Sequence, residues 1–182
     1  AWEAANTDVE GFLAPLEPLF PKGLSGVRAA VLGAGGSARA VIAALRARGA
    51  RVTVHARRAE QTAGVATAFG ASAGSWPPAP GSWDLLVNCT PLGGTTRRQE
   101  SRMAGEPLDG RAVYDLTYGD GDSALVAEAR RAGCVVLDGL PMLIAQAERQ
   151  FEWWTGQRPA AGVMQKAAFT ALGRTTTTEA RA

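Results

Sequence analysis

Short apolar runs alternate along this chain with longer segments in which apolar residues recur at helical spacing. The runs predict five strands, at 27–32, 51–55, 84–89, 114–117 and 135–137. The first run has no polar alternation, which is typical of a parallel strand buried on both faces. The other segments predict helices, at 7–19, 37–48, 59–69, 123–132, 140–154 and 161–172. This order predicts an α/β fold with a doubly wound parallel sheet and right-handed crossovers.

Composition narrows the class of protein. The 182 residues are 46% hydrophobic, enough for one full domain with a core and a smaller appendage. The formal charge is +2 and the arginines are spread along the chain, which argues against a nucleic-acid partner. No apolar run approaches the roughly 20 residues that span a bilayer, so we expect a cytoplasmic protein without a membrane partner. Cys89 and Cys134 lie in apolar stretches, which predicts buried thiols rather than a disulfide or a metal site.

A glycine-rich turn follows the first predicted strand and precedes a helix. It reads Gly33-Ala34-Gly35-Gly36-Ser37-Ala38, a G-x-G-x-x-A pattern. In this context Gly33 allows a tight turn, Gly35 lets the backbone approach a pyrophosphate, and Ala38 permits close helix-to-strand packing. The helix N-terminus then offers free N–H groups to phosphates. The pattern predicts a Rossmann-like dinucleotide site at residues 33–37; the alternative is a tight turn without a ligand.

The end of the second predicted strand indicates which dinucleotide binds. An enzyme that uses NAD places an acidic residue there for the ribose 2′-hydroxyl. This chain has Ala56, Arg57 and Arg58 instead. Guanidinium groups pair with phosphate in bidentate form, so these residues favour NADP as the cofactor. The alternative is that both arginines are simply solvated.

Five motifs, the glycine-rich turn among them, occur in one order along the chain. They read NTDVEGF at 6–12, GAGG at 33–36, VNCTPLG at 87–93, YDLTY at 114–118 and DGLPMLIAQA at 138–147. In sequence and order they resemble shikimate dehydrogenases, from about residue 6 to residue 168. The resemblance implies an NADP-binding Rossmann domain and reversible NADPH-dependent reduction of 3-dehydroshikimate to shikimate, in a cleft between two domains.

The resemblance also implies roles for individual residues. Asp8 would be the carboxylate of a Lys–Asp pair at the reacting hydroxyl, and a lysine held in this way can donate a proton. Tyr118 and Gln146 would bind the substrate. The alternatives are that Asp8 only caps a helix and that the other two are surface residues. Further cofactor contacts are implied at Thr90, Leu116 and Gly139.

The catalytic lysine that the resemblance implies has no match in this chain, because Lys22 and Lys166 lie outside the motifs. We therefore expect a fragment that lacks an N-terminal substrate domain and is inactive alone. The aromatic pair Trp153-Trp154 is predicted to pack against that missing domain. The expected segments are a remnant and connecting helix, the NADP-binding domain, C-terminal helices that return to the missing domain, and a disordered tail, at 1–22, 23–139, 140–172 and 173–182.

Some positions depart from the family pattern. Ala56-Arg57-Arg58 stands where relatives carry Asn-Arg-Thr, and Gly119 to Asp122 replaces a usual Asn-Pro segment. These departures leave two alternatives to a shikimate dehydrogenase. One is a quinate dehydrogenase-like enzyme, and the other is a non-catalytic NADP-binding or sensing module. Both a monomer and a homodimer are compatible with the sequence.

Overall fold

The computed structural model describes residues 6–174. Within this range the chain forms six α-helices and six β-strands. The helices are α1 (Asp8–Leu16), α2 (Gly36–Ala47), α3 (Ala59–Ala68), α4 (Ala124–Arg131), α5 (Leu140–Thr155) and α6 (Val163–Ala171). The strands are β1 (Arg28–Leu32), β2 (Arg51–His55), β3 (Ser72–Ala73), β4 (Leu85–Asn88), β5 (Ala112–Asp115) and β6 (Val135–Leu137).

The strands form one parallel sheet in the order β3-β2-β1-β4-β5-β6. This order confirms the predicted doubly wound sheet, because the strand order reverses beside β1, as in Rossmann folds. The carboxyl ends are level: Leu32 pairs in register with His55 and Asn88, and Asn88 pairs with Asp115. The segments that follow these residues therefore leave the sheet at one edge, where doubly wound folds bind ligands.

Both faces of the sheet are covered, as the apolar first strand predicted. Along β1, Ala29 and Val31 face one core cluster, and Ala30 and Leu32 face the other. The first cluster is formed with α1, α2, α3 and Met142. The second includes side chains from outside the strands and from α4, among them Trp83, Met103, Leu108, Leu125 and Ala129.

The structure differs from the predicted elements in several places. The predicted strand 114–117 lies at 112–115, since the Asp115 side chain accepts a hydrogen bond from the Thr117 N–H at 3.1 Å and turns the chain out of the sheet. The segment between the predicted helix 59–69 and the predicted strand 84–89 contains a short edge strand, β3, that no pattern predicted. The predicted helix 7–19 is α1 followed by a 3₁₀ turn at Glu17–Leu19.

The two ends of the described chain pack on the domain. Helix α1 places Phe12 in the core, where its ring stacks on Tyr114 with centroids 5.1 Å apart. At the other end, Arg174 pairs with Asp138 at 2.8 Å and lies over the Phe169 ring. Two residues of the predicted tail 173–182 are therefore folded onto the protein. The rest of that tail, 175–182, lies outside the described residues.

Candidate functional site

The glycine-rich turn connects three strands at the carboxyl edge of the sheet. The Gly33 N–H donates to the His55 carbonyl at 2.8 Å, and the φ of Gly33 is +113°. A Cβ on Gly33 would lie 3.2 Å from the Cys89 carbonyl oxygen. Only glycine therefore satisfies both the positive φ and the close approach of β4.

The turn leads directly into α2, whose N-terminus carries no side-chain cap. Gly35 occupies the N-cap position and makes no side-chain hydrogen bond to the first turn. A Cβ at Gly35 or Gly36 would meet nothing within 4 Å. The first-turn N–H groups, including that of Ser37, are thus open to an anion that approaches the backbone closely.

The segment after β2 forms one wall beside this turn. Ala56 is half-buried, and Arg57 and Arg58 are exposed. Arg58 is the N-cap of α3, where its carbonyl accepts from the Thr62 hydroxyl at 2.8 Å. Gln61 donates from Nε2 to the Ala34 carbonyl at 3.2 Å, which fastens α3 to the glycine-rich turn. Both arginines are thereby held at the mouth of the same cleft.

The opposite wall is formed by the segment that follows β4. Together with the turn it encloses a cleft of about 280 Å³. This wall includes the predicted Thr90 and two arginines that no motif indicated, Arg97 and Arg102. The cleft is also lined by Trp76, which lies between β3 and β4. The only sequence signal for the two arginines is the arginine content of the polar stretch 97–105. We call the turn and its two walls the cofactor edge.

A buried polar network supports the second wall. Asp115 is fully buried, and it accepts from Asn88 Nδ2 at 2.8 Å and from the Ser123 hydroxyl at 2.5 Å. Asn88 in turn accepts from both the N–H and the hydroxyl of Thr90, at 3.0 and 2.7 Å. A buried carboxylate is costly unless it is hydrogen-bonded, so the network fixes the path of the chain through Thr90.

The predicted nicotinamide neighbours contact each other, away from the walls of the cleft. Gly139 donates from its N–H to the Thr117 carbonyl at 2.9 Å. A Cβ on Gly139 would lie 2.1 Å from the Leu116 carbonyl oxygen and 2.5 Å from its carbonyl carbon. Glycine at position 139 is thus required for the β5 and β6 ends to meet.

The predicted substrate residues Asp8 and Gln146 are brought together although they are 138 positions apart. Gln146 Nε2 donates to Asp8 Oδ1 at 2.5 Å across the α1–α5 contact. Gly11 makes this contact possible, because a Cβ there would lie 2.4 Å from Gln146 Cγ. Asp8 is in the first turn of α1, and its N-cap Thr7 makes no side-chain cap hydrogen bond. The geometry therefore places Asp8 within the helix, which excludes the N-cap interpretation.

Within residues 6–174, none of the remaining polar candidates forms a hydrogen bond or an ion pair with this pair. Tyr118 is 41% exposed and makes no side-chain hydrogen bond within residues 6–174. Lys22 lies beside Asp84 and Arg111, at the amino ends of the strands. Lys166 is exposed on α6. Neither lysine forms an ion pair with Asp8 in the part of the chain that the structure describes.

Burial is the main cause of the shifted pKa of several groups, among them His55, Cys89 and Cys134. Burial lowers the pKa of His55, although its Nδ1 lies 2.6 Å from the Ser75 carbonyl. Burial also raises the pKa of the Cys89 thiol, which keeps the thiol protonated and unreactive. Burial has the same effect on the pKa of Cys134. Both cysteines are free but half-buried, so the prediction of buried thiols is correct only in part.

Residues 6–174 do not provide a metal centre. Among them, no group of three or more His, Cys, Asp and Glu side chains is placed to hold a metal ion. No helix in the described range is both long enough and apolar enough to cross a bilayer.

The sheet order, the glycine-rich turn and the open helix N-terminus define a Rossmann-type α/β domain. Residues 139–169 match the family model of the shikimate 5'-dehydrogenase C-terminal domain. A shikimate dehydrogenase (NADP(+)) from Oleidesulfovibrio alaskensis is 41% identical over 162 residues, which are 84% of this chain and 56% of that protein. The chain belongs to the shikimate dehydrogenase family, as its motifs predicted.

Two solved structures extend the comparison. The shikimate 5-dehydrogenase from Thermus thermophilus, in complex with NADP(H) and shikimate, is 36% identical with a TM-score of 0.76. The match covers 92% of this chain and 63% of that one. A quinate dehydrogenase from Corynebacterium glutamicum, in complex with NAD, is 28% identical with a TM-score of 0.75, covering 92% and 63%. The chain thus spans less than two thirds of the length of these relatives.

Proposed function

We propose that this chain is the cofactor-binding part of an NADP-dependent shikimate dehydrogenase, which reversibly reduces 3-dehydroshikimate to shikimate. The observation that carries the proposal is the Asp8–Gln146 pair in a domain that also has a Rossmann cofactor edge. Two motifs at opposite ends of the chain meet in one hydrogen bond. Neither the Rossmann fold nor the glycine-rich turn requires that hydrogen bond. Family membership and the shikimate-bound relative support the same substrate class.

The residues of the cofactor edge fit NADP. The backbone at Gly33 and Gly35 allows a pyrophosphate to approach the α2 N-terminus, where partial positive charge favours an anion. Arg57 and Arg58 lie at the end of β2, where the 2′-phosphate of NADP would lie. NADPH supplies a hydride when bound. Gly139 and Leu116, which contact each other at the ends of β5 and β6, would shape the nicotinamide end.

The Asp8–Gln146 pair fits the substrate side. Ketone reduction requires a proton at the oxygen as hydride reaches the carbon, so a proton donor must lie beside the carbonyl. Asp8 would hold a protonated lysine there, since a carboxylate favours the charged ammonium. The Gln146 amide donates to Asp8 and can also accept from a substrate hydroxyl. Tyr118, which is exposed, would add a further hydroxyl contact.

The proton donor itself has to come from elsewhere in the enzyme. Neither Lys22 nor Lys166 pairs with Asp8 among the described residues. We therefore propose that a lysine-bearing substrate domain completes the site, that the exposed Trp153 and Trp154 of α5 pack against it, and that this chain alone binds cofactor without turnover. We also propose that the complete enzyme acts in the cytoplasm, as a monomer or a homodimer.

Calorimetric titration of the chain with NADP and with NAD tests the cofactor assignment. We expect tighter binding of NADP, and Arg57→Ala should weaken NADP binding about tenfold, because a charge-assisted contact contributes about 1.5 to 3 kcal/mol. Equal affinity for the two cofactors in the unaltered chain would overturn the assignment. Shikimate oxidation by this chain alone, at the rate of a complete enzyme, would show that the proton donor lies within it.

Kinetic measurements would separate the proposed function from two alternatives. One alternative is a related polyol substrate such as quinate, since a quinate dehydrogenase solved in complex with NAD has a similar structure. Kinetics with shikimate and quinate, on an enzyme that includes this chain, would distinguish the two substrates. A non-catalytic NADP-binding module would bind NADP with the predicted preference and show no turnover with either polyol in any assembly.

A further inference from the structure

We propose that Arg102, on the wall opposite Arg57 and Arg58, contacts the 2′-phosphate of NADP and is a determinant of cofactor specificity. This inference rests on the proposed binding of NADP. It adds a residue from a different loop, far along the chain from Arg57, which no motif in the sequence assigns to the cofactor.

The charge of the cleft is the first argument. Four arginines line it, Arg57 and Arg58 on one wall and Arg97 and Arg102 on the other. No Asp or Glu of the described chain lines the cleft. Like charges that converge on about 280 Å³ repel each other, and a polyanionic ligand relieves that repulsion.

The two arginines of the second wall differ in their partners. Arg97 forms a bidentate pair with Glu100, at 2.9 and 2.7 Å, and its charge is therefore already compensated. Arg102 is half-buried, and within residues 6–174 its guanidinium makes no hydrogen bond or ion pair. The pKa of Glu100 is lowered by the hydrogen bond from Arg97 and also by the charge of Arg102, so Glu100 lies near both arginines. Since the N–H donors of Arg102 are unused, Arg102 is the cation on this wall with donors available for a ligand.

The backbone beneath Arg102 is held in place, although the stretch 97–105 is polar. The next residue, Met103, is 1% exposed and belongs to the second core cluster, and its N–H donates to the Ser101 hydroxyl at 3.0 Å. Before it, the Gly93 N–H donates to the Arg97 carbonyl at 3.0 Å. The arginine is thus presented from an anchored segment, and anchoring lowers the entropy cost of binding.

The phosphate groups of NADP divide between two parts of the cleft. The pyrophosphate fits the glycine-rich turn and the α2 N-terminus, where backbone N–H groups suffice. The 2′-phosphate remains for the guanidinium groups, which match its oxygens in bidentate form. Since Arg57 and Arg58 approach from the β2 side, Arg102 would approach the same phosphate from the β4 side.

The test compares NADP and NAD binding by Arg102→Gln, Arg102→Lys and a matched control, Arg131→Gln, which removes an exposed charge on α4 away from the cleft. We expect Arg102→Gln to raise the Kd for NADP about tenfold and the Kd for NAD less than twofold. Arg102→Lys should retain an intermediate affinity for NADP, and Arg131→Gln should change neither.

Three results would overturn the inference. An equal loss of NADP and NAD affinity in Arg102→Gln would place the guanidinium on the adenine or the pyrophosphate, and unchanged affinity for both would remove it from the site. A loss that Arg131→Gln reproduces would be a general charge effect.

If the unaltered chain prefers NADP and Arg57→Ala abolishes that preference while Arg102→Gln has no effect, this inference fails and the proposed function stands. If the unaltered chain has no preference, both fail.

Discussion

The cofactor edge and the Asp8–Gln146 pair are built in different ways. The cofactor edge depends on main chain: a positive φ at Gly33, an uncapped helix N-terminus, and carboxyl ends of strands that lie level. The Asp8–Gln146 pair depends on two side chains that meet where α1 packs on α5. The main-chain groups of the cofactor edge are in place once the sheet forms. The Asp8–Gln146 pair offers one carboxylate and one amide, and it still requires a proton donor.

The largest expected effect comes from the main chain at the ends of β5 and β6, which meet at Gly139. Gly139→Ala places a methyl group 2.1 Å from the Leu116 carbonyl oxygen, and main chain on both sides cannot move aside without separating β5 from β6. We expect the free energy of unfolding to fall by about 3 kcal/mol, with loss of NADP binding. Chemical denaturation measures the first quantity and calorimetry the second.

Gly35→Ala is the contrasting change, since its methyl group meets nothing, and it should leave stability nearly unchanged while it weakens NADP binding. Equal stability of the two variants would contradict the role of Gly139.

The next effect belongs to the side-chain pair. In an enzyme that includes this chain and its proton donor, Asp8→Asn removes the charge that holds the lysine but leaves an oxygen that can accept from Gln146. We expect turnover to fall roughly 100-fold, in keeping with the magnitude of general acid catalysis, while the Kd for NADP stays within about twofold. Steady-state kinetics measures turnover, and thermal melts serve as the control for folding. Unchanged turnover with unchanged melting would leave Asp8 without a catalytic role.

A smaller effect is expected where the pair depends on a single glycine. Gly11→Ala puts a methyl group 2.4 Å from Gln146 Cγ, so that the glutamine must leave its hydrogen bond with Asp8. Turnover of the assembled enzyme should fall about tenfold, with a higher KM for shikimate and an unchanged Kd for NADP. Gly64→Ala is the matched control, because it is also a helical glycine but has open space around it, and there alanine should stabilise α3 by about 0.5 to 1 kcal/mol. Equal kinetic losses in both variants would show that the Gly11 contact is unimportant.

The sequence predicted the two regions to different extents, for a physical reason. The turn at Gly33 to Ser37 follows from local rules, because a strand, a tight turn and a helix start lie within a few residues. Asp8 and Gln146 could be named only through the resemblance, and their contact depends on helix packing between distant segments. The main features of the sheet were predicted, yet β3 has two residues and therefore no periodic signal.

Arg97 and Arg102 illustrate the limit of local reasoning. The stretch 97–105 is polar, which is typical of a surface loop, and nothing near it in sequence indicates a cofactor. Its position follows from Met103, which enters the core on the second face of the sheet. One buried side chain in a polar stretch thus brings two arginines to the cleft, and such a tertiary effect has no signal in spacing or composition.

The smallest expected effect is a decrease in the free energy of unfolding at acidic pH, caused by His55 at the end of β2. His55 ends β2, accepts the Gly33 N–H through its carbonyl, and is 5% exposed. Burial lowers its pKa, so the folded protein binds a proton there less readily than the unfolded chain, whose histidine titrates at about pH 6.5. Between the folded pKa and about 6.5 the unfolded state holds more protons, and the free energy of unfolding therefore decreases as the pH falls below about 6.5. One proton accounts for at most about 1.4 kcal/mol per pH unit.

Denaturation at several pH values between about 5 and 8 measures this slope of the free energy of unfolding against pH, and His55→Asn should reduce it. NADP affinity should fall over the same range, because protonation disturbs the strand end that holds Gly33. An unaltered slope in His55→Asn would assign the acid sensitivity to carboxylates instead.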